Sequence, residues 1–311
     1  MSLALNVSGV DFEAGLRSPA WDRVALAICG EAGVNFTRLD RAESSDHVVF
    51  LIDRSFVLKV FRPWRNCFER ERKGLDFVNG RLSFQTPEIV KLGNYDGLDY
   101  MITTQLPGQP ITRAEFLELT GIEQIAILTE LAAGLCQLHE FDPSPFHDDW
   151  REFIRERADT FVERQIAHGV NRRVVEALPD YIENNFPLVP AVPARFLHGD
   201  VHSGNLRLMR SNGRLRIAGL FDFADSRRGF IEYEFIAVGV LMMQGDRGLQ
   251  REFFRAYGYA ESELDERMRK RMMMLTMLYE TSDMRRYAMR LRPEAVDYTL
   301  EELESAIWSF V

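Results

Sequence analysis

Two short polar clusters that bracket a β-hairpin constrain this chain more than any other feature. The first runs from Phe196 to Asn205 (FLHGDVHSGN) and the second from Phe221 to Ala224 (FDFA). Between them lie an alternating run ending at Met209, an Asn212-Gly213 pair and a second run from Leu215 to Phe221, the pattern of a hairpin with a two-residue loop. With Asn212 and Gly213 in the loop, Asn205 falls opposite residue 220, beside Asp222, while Asp200 sits on the turn leading in. An amide oxygen and a carboxylate at one hairpin end are hard ligands. Mg²⁺ takes ligands of that kind, one or two carboxylates with substrate phosphates completing its shell. The cluster therefore reads as a site of phosphoryl transfer.

These residues resemble the aminoglycoside phosphotransferase family, which includes the choline-kinase-like enzymes and is related to the protein kinases. The carrying pattern is His198-Gly199-Asp200, an Asn five residues after the Asp, and an apolar strand ending in Asp222. The resemblance implies an α+β, bilobal protein-kinase-like fold. A small N-terminal antiparallel-sheet lobe (1–105) would bind nucleotide, and a larger, mainly helical C-terminal lobe (106–311) would carry the catalytic loop and the acceptor. It further implies that Asp200 accepts the proton of the acceptor hydroxyl, that Asn205 and Asp222 hold Mg²⁺, and that ATP or GTP is the phosphoryl donor. His198 would brace the loop, and a structural role is expected for His202.

At 311 residues the chain exceeds one ordinary core, in keeping with two lobes. No run of eighteen apolar residues exists, and the first residues lack a basic region and a long apolar stretch, so neither a membrane span nor a secretory signal is expected. Three widely spaced cysteines, Cys29, Cys67 and Cys136, suit free thiols in a reducing cytoplasm. The net charge of −9 disfavours nucleic acid as a partner.

In the first hundred residues, Pro19 to Ala32 has helical spacing, and strands are expected over 48–52 and 56–61, joined by Asp53-Arg54-Ser55. Lys59 shares a face of the second strand with Val57 and Phe61. Burying an ammonium there is unfavourable unless an anion meets it, and only four lysines stand among 38 basic residues, which makes this one less incidental. The plain alternative is an edge-strand lysine reaching solvent. By the resemblance, Lys59 contacts the phosphates and is held by a helix glutamate, Glu71, with Glu69 as the competitor for that place. The loop that would cover the phosphates, 41–47, has no glycine; Ser44 and Ser45 are its candidate donors. Thr104 to Gly108 is rich in structure breakers and reads as the hinge. In the family such hinges bind the base edge, which places Thr104 and Leu106 at the nucleotide.

Beyond the hinge, Thr112 and Glu115 form a capping box, and Ile122, Ile125, Leu128, Leu131, Leu135 and Leu138 trace a core helix ending at a packed His139. Methionines 268, 272–274 and 277 read as core filling. Only about ten residues separate Asp222 from the next helical stretch, near Glu232, and no Ala-Pro-Glu signal follows, so no long peptide-docking segment is present. A small-molecule acceptor is expected. Residues 1–105 hold 13 basic and 14 acidic side chains, so eight of the nine excess negative charges fall in the remainder. Asp148, Asp149, Asp225, Glu232 and Glu234 are the acids expected to line a cleft for a cationic, aminoglycoside-like acceptor. Two other classes compete: a metal-dependent hydrolase using His198, Asp200, His202 and Asp222, and a nucleotide-binding pseudokinase scaffold.

Overall fold

The computed structural model describes residues 18–42, 47–62, 66–190, 194–293 and 297–311. The chain divides into two compact units: residues up to Pro107 together with Gly219–Asp225, and Gly108–Ala218 together with Ser226–Val311. The chain thus crosses between them three times, where the sequence suggested one cut.

The first unit is built on α1 (Ala20–Ala32), β1 (Leu39–Arg41), β2 (Val48–Ile52), β3 (Phe56–Val60), α2 (Cys67–Val78), β4 (Ile89–Tyr95) and β5 (Leu98–Thr104). Its sheet has the order β1-β2-β3-β5-β4, every pair antiparallel. Strand alternation sends Phe50, Ile52, Leu58, Val60, Tyr100 and Ile102 to one face, where Trp21, Val24, Ile28 and Cys29 of α1 cover them. Full burial contributes about 1.5–3 kcal/mol for a side chain such as Val24 or Ile28. The three-residue β2–β3 turn places both Asp53 and Arg54 at positive φ (50° and 56°), and Ser55 N–H closes it on Ile52 O at 2.9 Å. Asp53 secures it from outside, accepting from the Thr37 and Arg38 backbone N–H groups at 3.0 and 2.7 Å. Gly219–Asp225 joins this unit because Leu220 N–H donates to Gln85 O at 2.9 Å and α2 packs on the turn at Phe223–Asp225.

The second unit comprises β6 (Gln109–Pro110), α3 (Arg113–Glu118), α4 (Gly121–His139), α5 (Trp150–Asp159), α6 (Phe161–Ala167), α7 (Arg172–Asn185), β7 (Arg195–Leu197), β8 (Leu206–Ser211), β9 (Arg214–Leu220), β10 (Arg227–Gly229), α8 (Ile231–Ala237), α9 (Arg247–Tyr257), α10 (Glu266–Leu278), α11 (Met284–Leu291) and α12 (Leu300–Ile307). The last residues of β9 pass into the first unit. Thr112 caps α3 with Glu115 in the expected reciprocal box, and Thr120 with Glu123 repeats the device at α4. Gly108, at φ +84°, could carry no side chain: a Cβ there would stand 2.5 Å from Leu208 O. Ile122, read from its spacing as part of the core, is 83% exposed on the first turn of α4, so the apolar stripe starts deeper, at Ile127. The methionines of α10 are buried, as their spacing suggested. Among the described residues no helix is long and apolar enough to cross a membrane, and Cys29, Cys67 and Cys136 are free thiols.

Candidate active site

Lys59 lies on β3 between Val49 of β2 and Met101 of β5, in the middle of the five-stranded sheet. This removes the edge-strand alternative. Leu58 and Val60 face α1, so alternation turns Lys59 to the opposite face, where it is 8% exposed. There Nζ meets Glu71 Oε2 at 2.6 Å and Asp222 Oδ1 at 2.7 Å. Glu69, two residues earlier and so near the opposite side of the helix, pairs with Arg72 at 2.9 Å. The burial of Lys59 by itself favours the neutral amine. Asp222 and Glu71 outweigh it and hold the ammonium charged, raising its pKa. Burial likewise pushes Glu71 up, against the attraction of Lys59, and repulsion from Asp222 and Asp225 adds to the push; its pKa rises to about 7. One ammonium faces two carboxylates, and the more deeply buried one is the easier to protonate. Asp222 adopts φ +68°, a conformation of order 1–3 kcal/mol above the usual regions for a residue with a side chain.

Thr104 closes the sheet: its N–H donates to Glu88 O and its hydroxyl accepts from Glu88 N–H, each at 2.9 Å. Gln105 N–H donates to Ser55 O at 2.8 Å, and Leu106 is buried. Gln105 Oε1 is buried and has no hydrogen-bond partner among the described residues, an acceptor that sequence reasoning missed. Ser44 and Ser45 lie outside the described residues.

In the second unit β7 delivers the chain into the loop at His198. Gly199 turns it at φ +90°, a conformation that favours glycine. The loop is hung on one buried carboxylate: Glu234 of α8 accepts from His198 N–H at 2.6 Å and Gly199 N–H at 2.8 Å. His198 is fully buried, and its Nδ1 accepts from Asp200 N–H at 3.3 Å. Asn205 Nδ2 donates to Asp200 O at 2.9 Å, which commits the nitrogen end of the amide and leaves Oδ1 as the oxygen end. His202 Nδ1 accepts from Gly204 N–H at 3.0 Å, while its Nε2 stands 3.4 Å from Asp200 Oδ2. Tyr279 Oη lies 2.8 Å from Asp200 Oδ1. The β8–β9 turn has Asn212 at φ 51° and Gly213 at φ 76°, the two positive values that their pairing in sequence suggested.

The expected acceptor acids are placed differently. Glu232 is 1% exposed and both its oxygens are engaged, by Arg271 at 2.5 and 2.6 Å and by Tyr259 Oη at 3.0 Å. Glu234 is 1% exposed and braces the loop. Neither lines a solvent-filled cleft, a correction that alternation along a buried helix hid from the sequence. Asp148 accepts from Arg228 N–H at 3.0 Å, Asp149 caps α5 through Glu152 N–H at 3.0 Å, and Asp225 belongs to the first unit, near Glu71. His139, packed as expected, has its Nδ1 2.7 Å from Tyr257 Oη.

A sheet-bearing unit with a lysine–glutamate pair, followed by a helical unit with an Asp-bearing loop, defines a kinase-like bilobal fold. The family model described as the phosphotransferase enzyme family matches residues 37–270, well over half the chain, and the chain belongs to that family. Solved structures agree on the fold. The GDP complex of wild-type aminoglycoside 2'-phosphotransferase-IIIa superposes with a TM-score of 0.70 at 14% identity over 84% of this chain and 89% of that one. The streptomycin–ATP ternary complex of APH(2")-IIa gives 0.58 at 18% over 82% and 89%. APH(3'')-Id from Streptomyces rimosus gives 0.59 at 19% over 83% and 98%. The family makes the chain a phosphotransferase enzyme.

Proposed function

We propose that this enzyme moves the γ-phosphoryl group of ATP or GTP, with Mg²⁺, onto a hydroxyl of a small molecule. The observation that carries the reading is the Lys59–Glu71–Asp222 cluster. A well-packed apolar pair would serve stability at least as well as the buried Lys59 and Glu71, and the ammonium also reaches the one-third-exposed Asp222, an arrangement that suits an anionic ligand. Polyanionic phosphates meet Lys59, while Glu71 keeps the ammonium in place. Gln105 Oε1, a buried acceptor without a partner among the described residues, fits a donor group on the base. The donor set also fits the metal. Asp222 supplies a carboxylate on a side chain that is one-third exposed, Asn205 supplies an amide oxygen, and both are hard ligands. Among the described residues no three His, Cys, Asp or Glu side chains form a cage, so phosphate oxygens would have to complete the shell. Mg²⁺ held by Asn205 and Asp222 would neutralise charge developing on the phosphates.

Asp200 takes the proton of the acceptor hydroxyl as that oxygen bonds to the γ-phosphorus, and the bond to the β-phosphate oxygen breaks with its electron pair leaving on the nucleoside diphosphate. His198 and Glu234 hold the loop and take no part in proton transfer. Only β10 and a short turn separate Asp222 from α8 at Ile231, which leaves no long segment to dock a peptide. A cationic acceptor is favoured by the eight excess negative charges beyond residue 105 and by the streptomycin-bound neighbour. That reading now rests on the summed field, because Glu232 and Glu234 are occupied in the interior.

The test is a panel assay of nucleotide consumption, ATP and GTP in parallel, against aminoglycosides, choline-like amino alcohols, homoserine and sugar-derived amines. Acceptor-dependent turnover with a phosphorylated product supports the proposal. Tight Mg–nucleotide binding with no turnover on any acceptor supports a pseudokinase scaffold instead.

A further inference from the structure

We infer that Tyr279 is a positioning residue for Asp200, orienting the carboxylate of the base through a hydrogen bond to Oδ1. The inference rests on Asp200 being the base. Tyr279 follows the last turn of α10, nearly eighty residues from the loop in sequence, and is 5% exposed. Its hydroxyl has a single proton and two acceptors within reach, Asp200 Oδ1 at 2.8 Å and Gly199 O at 2.9 Å. The charged carboxylate is the stronger acceptor and the nearer one, so it takes the proton. Oδ2 has longer contacts, 3.4 Å to His202 Nε2 and 3.4 Å to Asn205 Nδ2, and the Asp200 side chain is 31% exposed. One oxygen of the base is thereby clamped by a short bond.

The frame around Tyr279 argues against incidental packing. Its ring lies 5.1 Å from that of Tyr233, whose hydroxyl accepts from Glu280 N–H at 3.0 Å. Tyr233 precedes Glu234, so consecutive residues of α8 hold the catalytic loop and the segment bearing Tyr279. Arg157 donates to the carbonyl oxygens of Leu278, Tyr279 and Glu280, and Arg227 pairs with the Glu280 carboxylate. A chain turn held at so many points fixes the phenol oxygen closely, which is what orienting a base requires. No motif announces this residue: in sequence it is an aromatic at the end of a methionine-rich helix.

The test measures phosphate release from Mg–ATP and Mg–GTP with water as acceptor, in wild type, Tyr279→Phe and Asp200→Asn. Tyr279→Phe should lower kcat about tenfold, the scale of one lost hydrogen bond to a charged group, with nucleotide KM and Tm within experimental error of wild type. A wild-type kcat in Tyr279→Phe, with Asp200→Asn strongly impaired, overturns the positioning role and leaves the base intact. A wild-type kcat in Asp200→Asn overturns the base assignment and this inference with it. If Tyr279→Phe lowers Tm, a ring-fluorinated tyrosine at 279 keeps the shape and changes only donor strength. It should then alter kcat without altering KM, and an unchanged kcat counts against the role.

Discussion

Lys59 and Asp200 are the two charged side chains on which the proposed chemistry depends most, and the fold fixes them by opposite means. Lys59 is buried in a sheet and held by other charges, Glu71 and Asp222. Asp200 is partly exposed and is held by neutral donors, the Tyr279 hydroxyl and the Asn205 amide, on a loop whose backbone hangs from Glu234. A phosphate-binding ammonium benefits from a low-dielectric site, where its charge acts at full strength. A base must meet a proton in a fixed geometry, and hydrogen bonds to its carboxylate orient the group.

The largest effects expected from that contrast come from removing a carboxylate with no substitute. Asp222→Ala should abolish Mg–nucleotide binding by calorimetry, since it deletes the proposed ligand and unbalances Lys59 together. Unchanged affinity would remove Asp222 from the metal. Asp200→Asn should lower turnover by about a hundredfold or more while nucleotide affinity stays within a few fold; near wild-type turnover would remove the base.

Glu234→Ala tests whether the second unit's loop depends on its buried brace. Two buried N–H groups lose their acceptor, each worth roughly 1–3 kcal/mol, and Tm should fall along with kcat. A variant with unchanged Tm would mean the loop holds itself.

Charge coupling in the first unit predicts a pH signature in nucleotide KM. With its pKa near 7, Glu71 carries its full charge above that pH and loses it as pH falls. The hold on Lys59 then weakens, so nucleotide KM should rise as pH drops through 7. Glu71→Gln should flatten that rise, and Lys59→Ala should raise KM more than either at every pH. A Glu71→Gln profile that parallels wild type would place the titration elsewhere.

The smallest effects are expected at acids named from sequence that the structure puts to local use. Asp149→Ala loses an N-cap, about 1 kcal/mol, and should leave acceptor KM unchanged. Glu69→Ala breaks a half-exposed pair worth roughly 0.3–0.5 kcal/mol and should leave nucleotide use alone. A nucleotide defect as large as that of Glu71→Gln would mean that α2 shifts in solution.

The sequence by itself determined what depends on short spacing. The Asn212-Gly213 turn, the His198–Asp200–Asn205 interval and the capping box at Thr112 each involve residues a few positions apart, and local backbone geometry fixes where their groups point. The helix over 20–32 and the strand at 48–52 were legible for the same reason, because apolar period reports secondary structure directly. Tertiary structure decided what spacing leaves open. Lys59 sits in a central strand because β5 returns beside β3, a pairing across some forty residues. Glu71 outcompetes Glu69 because helix phase is settled only by what the helix packs on. Glu232 and Glu234 looked like surface acids, yet they are buried because Arg271 and the loop's N–H groups neutralise them there. Tyr279 reaches Asp200 across 79 residues of chain, and no periodicity records a single contact between distant segments.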